Sequence, residues 1–227
     1  MGRFINADGF ISTGQGLLGN NMFAYCGNNP VSRADPTGNA FISTLVNSFI
    51  NAIKETIQLF RRVARTTVEL ALMGFKNLSI ESVIDCAETL HMYGIDTPEE
   101  KAHFFSQCAA ETNFGMWLTE IGSDSYFANK PYGKKYRGAG YIQLTWDYNY
   151  QSFADAVGDP EIYNQGAEYV AAHYAWQAAG WWWSNNSMNS RIANGYTVRD
   201  VTRRVRGSDG GWELRQQYYN QFIAILR

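Results

Sequence analysis

Between residues 40 and 75, apolar side chains recur at Ile42, Leu45, Val46, Phe49, Ile50, Ile53, Ile57, Phe60 and Ala64. This three-to-four spacing predicts one amphipathic helix, with Gly74 as its stop. Lys54, Glu55, Arg61, Arg62 and Arg65 punctuate it. Residues 79–92 read as a second helix. Thr97-Pro98-Glu99-Glu100 predicts a sharp start for a third, with Thr at the N-cap, Pro at the first helical position and Glu at the third. That helix is expected to reach about Asn113. Ala102, Phe105, Ala109 and Thr112 form its buried stripe, and Phe104, Gln107, Cys108 and Glu111 follow a neighbouring one. Glu111 therefore falls in the last turn, at the margin between core and solvent. Residues 1–39 behave differently. They are rich in Gly, Asn and Asp, with aromatics bracketed by glycine, and read as short strands and turns. The expected organisation is residues 1–39, a linker helix over 40–75, and a compact, mostly helical domain over 76–227.

Composition narrows the function. The chain has 227 residues and a net charge of −2, too little positive charge for a general nucleic-acid binder. Fourteen Tyr and seven Trp suit either a Tyr-rich core and surface or a cleft whose aromatic faces lie against sugar rings. Cys26, Cys86 and Cys108 cannot build a disulfide framework, although one bridge between Cys86 and Cys108 is open. There is no CxxC or HExxH, and His91, His103 and His173 lie far apart, so no zinc site and no other cofactor is expected. The N-terminus lacks the basic and apolar regions of a signal peptide. The uncharged run of residues 36–53 is too polar to span a bilayer. The helix over 40–75 has two readings, a linker that packs on the next domain or a helix that lies on a membrane surface.

The chemistry concentrates in two places. Glu111 stands in AAETNFG, and residues 136–149 read YRGAGYIQLTWDYN. An acid at a helix end, followed by a glycine-bracketed turn into a strand-like Gln-Leu-Thr, is a layout for splitting a glycosidic bond. Such a reaction needs a protonated carboxyl beside the leaving oxygen and a group that places water on the opposite face of the sugar. Burial beside Phe104 and Cys108, and the negative end of the helix dipole, would both raise the Glu111 pKa and favour the protonated acid.

Residues 100–215 resemble glycoside hydrolase family 19, the chitinase fold shared with many phage endolysins. The first family motif appears as Phe104-Phe105-Ser106-Gln107-Cys108-Ala109-Ala110-Glu111-Thr112-Asn113-Phe114-Gly115, with Ala110 where His is usual. The second runs from Tyr136 to Tyr150 through Gly138-Ala139-Gly140, with Ala139 where Arg is usual. A third, Val201-Thr202-Arg203-Arg204-Val205-Arg206-Gly207, has Arg206 where Asn is usual. The resemblance implies a mainly α, lysozyme-like α+β domain with a small β element, and hydrolysis with inversion. It implies Glu111 as general acid, Glu120 as the carboxylate that activates water (Asp124 is the runner-up), and Thr145 as a holder of that water. It implies substrate contacts from Gln143, Asn149, Tyr148, Tyr141 and Arg215. Most of Trp181, Trp182 and Trp183 read as core, with one facing the cleft a plausible exception. Residues 130–137 form a small basic stretch, either a solvated loop or a contact for anionic peptidoglycan.

Residues 2–38 resemble the tail of the core domain of Rhs/YD-repeat proteins, through Gly2-Arg3-Phe4 with Asp8, residues Asn21 to Tyr25 with Asn28-Asn29-Pro30, and Asp35-Pro36-Thr37-Gly38. Asn39 stands where Leu usually follows. A short Rhs remnant ahead of a hydrolase implies the C-terminal end of a polymorphic toxin. The expected activity is cleavage of β-1,4 bonds in peptidoglycan, in the cell wall or periplasm of a target bacterium, with an immunity protein as partner. The alternatives are a chitinase and an inactive sugar-binding module, the latter kept open by Ala110, Ala139 and Arg206.

Overall fold

The computed structural model describes residues 40–227, and side chains from residue 44 onward. The Rhs-like motifs and Cys26 therefore lie outside the described residues. The chain divides into two units, residues 1–60 and 61–227. The first helix, α1 (Ala40–Met73), enters both. In the first unit its predicted apolar stripe is helical but exposed, at Leu45, Val46, Phe49, Ile50, Ile53, Ile57 and Phe60. No described helix is long and apolar enough to cross a membrane.

In the second unit the same helix is core. Thr66, Leu70 and Met73 are buried, and Phe75 follows just past the Gly74 stop. The compact unit thus begins at residue 61, earlier than the boundary expected at 75/76, because the last turns of α1 supply part of the interior.

Ten further helices complete this unit: α2 (Ile80–Met92), α3 (Pro98–Thr112), α4 (Asp124–Ala128), α5 (Asp147–Val157), α6 (Glu161–Gln165), α7 (Ala167–His173), α8 (Ala175–Asn185), α9 (Met188–Ala193), α10 (Val198–Arg206) and α11 (Trp212–Leu226). Local sequence starts several of them. Ser79 caps α2, its hydroxyl accepting the Ser82 N–H at 3.1 Å. Thr97 and Glu100 form the predicted capping box on α3, with Pro98 in the first turn. Thr197 and Asp200 build a second box on α10. Among the described residues the expected β element is reduced to two isolated antiparallel bridges, Thr119–Ala139 and Ala139–Leu144.

Helix α3 is the spine. Ala102 through Ala109 are all buried, so both predicted stripes face protein. Its main neighbour is α11, and α10 packs on both. On the other side α2 packs against α8. The interior between them is aromatic. Phe75 meets Phe105, Phe114, Tyr141, Trp176 and Phe222 with ring centroids 5.5–6.4 Å apart. Trp176 and Trp183 are fully buried and Trp181 nearly so, while Trp182 is half-buried. Cys86 and Cys108 are buried free thiols rather than a bridge. Burial leaves them as small apolar core groups and pushes both thiols up.

Two contacts fix α2 on α8. The start of α8 has no cap of its own, and Asp85 from α2 accepts the Trp176 N–H at 3.3 Å. The Trp176 indole N–H donates to Ser82 Oγ at 3.2 Å. Gly180 lets the helices approach, since a Cβ there would lie 2.4 Å from Tyr93 Cδ2 and 2.5 Å from Thr89 Cγ2.

Gly180→Ala should therefore destabilise the fold. Its gain in helix propensity is about 1 kcal/mol, while overpacking at so close a crossing costs about 1–3 kcal/mol. Urea unfolding should show a lower midpoint. A midpoint at or above that of the wild type would mean the crossing yields freely.

Burial raises the Asp85 pKa to about 6. The folded state then holds this proton more tightly than the unfolded chain, so its contribution to stability falls as pH rises from about 4 to about 6. His103, buried between α3 and α11, is lowered to about 4 by desolvation. Its contribution is lost as pH falls through the same window, the opposite sense. The comparison must therefore be differential. Asp85→Asn keeps an acceptor for the helix start and removes the titration. Between pH 4 and 6.5 the wild type should lose stability relative to this variant, on the order of 2 kcal/mol. Unfolding free energies of both proteins at the two pH values measure it, and a constant difference would rule out the buried carboxyl as the source.

Candidate active site

Helix α3 ends in a run of left-handed residues. Asn113, Phe114 and Gly115 have φ of 49°, 60° and 83°. Thr112 locks the reversal, its hydroxyl donating to Cys108 O at 2.7 Å and accepting the Gly115 N–H at 2.8 Å. This abrupt stop leaves Glu111 in the last turn with its side chain 18% exposed. Its Oε1 accepts from Arg215 Nη2 of α11 at 2.5 Å. Arg215 is buried, and its Nη1 donates to Gly211 O at 3.2 Å. Burial pulls this guanidinium below its usual range, against the stabilising Glu111 carboxylate. Arg215 itself is engaged by the carboxylate and a carbonyl. The structure makes it the holder of the acid rather than a substrate contact.

The chain then runs from Glu111 into a small ladder. Gly140 N–H donates to Leu118 O at 2.8 Å, and Glu120 N–H to Gly138 O at 2.8 Å. Ala139 also exchanges hydrogen bonds with Leu144 in both directions. Residues 118–120, 138–140 and 144 therefore lie side by side, which brings Glu120 and Thr145 onto neighbouring segments. A Cβ on Gly140 would stand 2.7 Å from Ala175 O, and its φ is +69°, so this crossing requires glycine.

Glu120 is half-buried and firmly held. Its Oε1 accepts from the Tyr126 and Tyr132 hydroxyls, each at 3.0 Å, and its Oε2 accepts the Gly138 N–H at 3.2 Å. Burial and the adjacent carboxylate push the Tyr132 phenol up, so it remains a proton donor to Glu120. Asp124, the other candidate, is an exposed first-turn residue of α4 paired with Lys134 at 2.6 Å. That pairing holds its carboxyl below the usual range.

Thr145 is not in a strand. It follows the turn of Gln143, whose φ is +54°, and its hydroxyl donates to Gln143 O at 2.8 Å. Its oxygen remains available as an acceptor. The Gln143 amide nitrogen donates to Gly140 O at 3.1 Å, and Asn149 Nδ2 to Thr145 O at 2.7 Å. Both amides thus brace the turn and keep their carbonyl oxygens for other partners. Tyr148 is 60% exposed in the first turn of α5 and stacks on Trp146. Trp146, with φ +81°, also meets Tyr132 edge-on. Tyr141 is a correction. It is 1% exposed and stacked on Trp176 at 3.4 Å, so it is core and cannot touch a sugar.

Sequence reading missed the clamp around Glu120. Arg137 is buried, and its Nε donates to Glu120 O at 3.2 Å, its Nη1 to Lys134 O at 2.7 Å and its Nη2 to Glu168. Its guanidinium also lies over the Phe127 ring. Tyr150 fastens the Arg137 carbonyl at 2.6 Å. Tyr126, Tyr132 and Glu168 carry no spacing signal. Arg137 could have been flagged only as a charge inside an otherwise apolar, glycine-bracketed motif. No His, Cys, Asp and Glu grouping among the described residues could hold a metal.

No protein-family profile matches the chain. Among curated proteins it is 28% identical over 141 residues to endochitinase B of Zea mays, covering 56% of this chain and 49% of that protein. The chain spans about half the length of the curated relatives it matches. Among solved structures, chitinase C of Streptomyces griseus superposes with a TM-score of 0.56 at 23% identity, over 70% of this chain and 90% of that one. A bacterial family 19 chitinase gives 0.51 at 24% identity, over 63% and 84%. The described domain therefore has the fold of family 19 chitinases.

Removing the clamp should loosen the Glu120 segment locally. Arg137→Gln loses the Glu168 pair and the fixed geometry at Glu120 O, a change of about 1–2 kcal/mol in local opening. Amide hydrogen exchange over residues 118–120 and 138–140 should speed by roughly tenfold, with α3 and α11 unaffected. Unchanged exchange would show that the ladder holds without Arg137.

Proposed function

We propose that the domain is an inverting glycoside hydrolase acting on β-1,4 bonds between N-acetylated sugars. The observation that carries this reading is the pairing of a partly exposed acid, held by a buried arginine, with a second carboxylate presented by the adjacent ladder. The fold of family 19 chitinases supports it. Glu111 gives its proton to the leaving oxygen as the C1–O bond breaks. Glu120 takes a proton from a water whose oxygen bonds to C1 from the opposite face, and the Thr145 hydroxyl oxygen accepts that water's other hydrogen. Gln143 and Asn149 offer their carbonyl oxygens to the substrate, and Tyr148 with Trp146 offers aromatic faces. The hydrogen bonds from Tyr126, Tyr132 and Gly138 hold the Glu120 carboxylate for this role.

We assign peptidoglycan as the substrate, in the cell wall or periplasm of a target bacterium. This rests on the Rhs-like motifs of residues 2–38, which imply a toxin and a protecting immunity protein. Chitin is the second reading, favoured by curated relatives that are endochitinases. The basic stretch of residues 130–137 does little to choose. Lys134 is paired with Asp124, and Lys130 and Lys135 lie over tyrosine rings.

The test is digestion of purified peptidoglycan and of chitin oligomers by the full chain. A fragment starting at residue 76 would lose Leu70, Met73 and Phe75 from the core. Glu111→Gln and Glu120→Gln should each lower turnover by about 10²–10⁴-fold. Mass spectrometry after borohydride reduction identifies the new reducing sugar and hence the bond. Binding without cleavage by the wild type would make the domain a sugar-binding module. Equal activity in all three proteins would place the chemistry elsewhere.

A further inference from the structure

We propose that Arg206 selects glycans bearing a carboxylate beside the scissile bond, an inference that rests on the hydrolase reading and deepens it. Helix α10 carries four arginines, and three are tied to other side chains. Arg199 and Arg203 both bond Asp209, and Arg204 bonds Asn186 Oδ1 at 2.5 Å. Arg206 closes the helix just before the left-handed Gly207. It is exposed, and its partner is a backbone oxygen, Gly210 O. No carboxylate among the described residues pairs with it.

Its position matters more than its exposure. The Cβ position of Gly211 lies 3.2 Å from Arg215 Nη1 and 3.4 Å from Arg206 Nη1. Both guanidinium groups thus flank one glycine. Arg215 turns inward to Glu111, and Arg206 stays at the surface. The Arg206 charge is felt at Arg215, which it pushes further down. A cation without a carboxylate partner among the described residues therefore stands beside the arginine that holds the candidate acid.

A polymer of N-acetylglucosamine offers that cation only hydroxyls and amides. A strand in which every second sugar carries a 3-O-lactyl ether offers a carboxylate, either the free lactyl group or that of a peptide attached to it. The planar guanidinium matches a carboxylate through two parallel hydrogen bonds. Chain position 206 is also where the sequence departs from its motif, with Arg in place of Asn.

The experiment compares the full-length wild type, Arg206→Asn and Arg206→Lys on three probes. These are a neutral N-acetylglucosamine hexamer, glycan strands stripped of peptide that expose lactyl carboxylates, and strands that retain their peptides. Arg206→Asn should lower kcat/KM on the carboxylate-bearing strands by about three- to tenfold and leave the hexamer unchanged. Arg206→Lys should fall between. Salt should weaken the wild type's preference and not the Asn variant's. Loss on the stripped strands names the lactyl group as the source, and loss confined to the peptide-bearing strands names the peptide. An equal loss on all three probes, or none on any, would reduce Arg206 to a cap on the Gly210 carbonyl and overturn the inference. The same strands titrated calorimetrically into Glu111→Gln, with and without Arg206→Asn, separate the two claims. Carboxylate-selective binding that depends on Arg206, without turnover by the wild type, would sink the hydrolase reading and keep the selectivity. Binding with no such selectivity, or no binding, would overturn the selectivity whatever the turnover.

Discussion

A buried guanidinium must have an anion beside it, and here that constraint joins the two halves of the site. Arg215 is almost fully enclosed, and Glu111 is its only carboxylate partner among the described residues, at 2.5 Å. Breaking such a pair from one side leaves an uncompensated charge, at a cost of about 3–5 kcal/mol. The pair therefore fixes the register of α11 on α3, the most extensive helix contact in the domain. The same contact presents Glu111 in the last turn of α3, where the helix reaches solvent again. The ion pair is weak evidence for net stability, but it is strong evidence for where a carboxylate must stand.

From that anchor the backbone does the positioning. The left-handed run at residues 113–115 turns the chain out of α3 within one turn of the acid. The short ladder then places Glu120, Gly138 and Leu144 by main-chain hydrogen bonds rather than by side-chain choice. Glu120 is restrained from two sides. Tyrosines and an amide hold its carboxylate, and Arg137 holds its carbonyl. The φ of +81° at Trp146 is costly for a bulky residue and is retained where exposed aromatics border this ladder.

Helix α1 shows how the same periodicity can serve two environments. Its apolar spacing runs unbroken from residue 42 to 64. Leu70 and Met73 are interior, whereas Phe49 and Phe60 are 68% and 70% exposed. Spacing reports that a helix has an apolar face. It carries no information on what that face meets, because burial depends on elements distant in sequence.

Local signals were sufficient for much of the fold. The cap at Thr97, the stop at Gly74 and the stripes of α3 were legible because each depends on residues within a few turns of one another. Motif order also pointed to Glu111, Glu120 and Thr145 as candidates. Three features were decided only by tertiary structure. Tyr141 went to the core because Trp176 stacks on it, although its motif neighbours line the candidate site. Arg215 went to Glu111 across 104 positions of sequence, a pairing no local rule encodes. Cys86 and Cys108 remained free thiols in the interior. The sequence by itself determined which segments are helices and which residues could carry the chemistry, since propensity, capping and periodicity are short-range. Tertiary structure decided which of those residues face solvent, which face one another and which charges are neutralised, since desolvation and pairing arise only when distant segments pack.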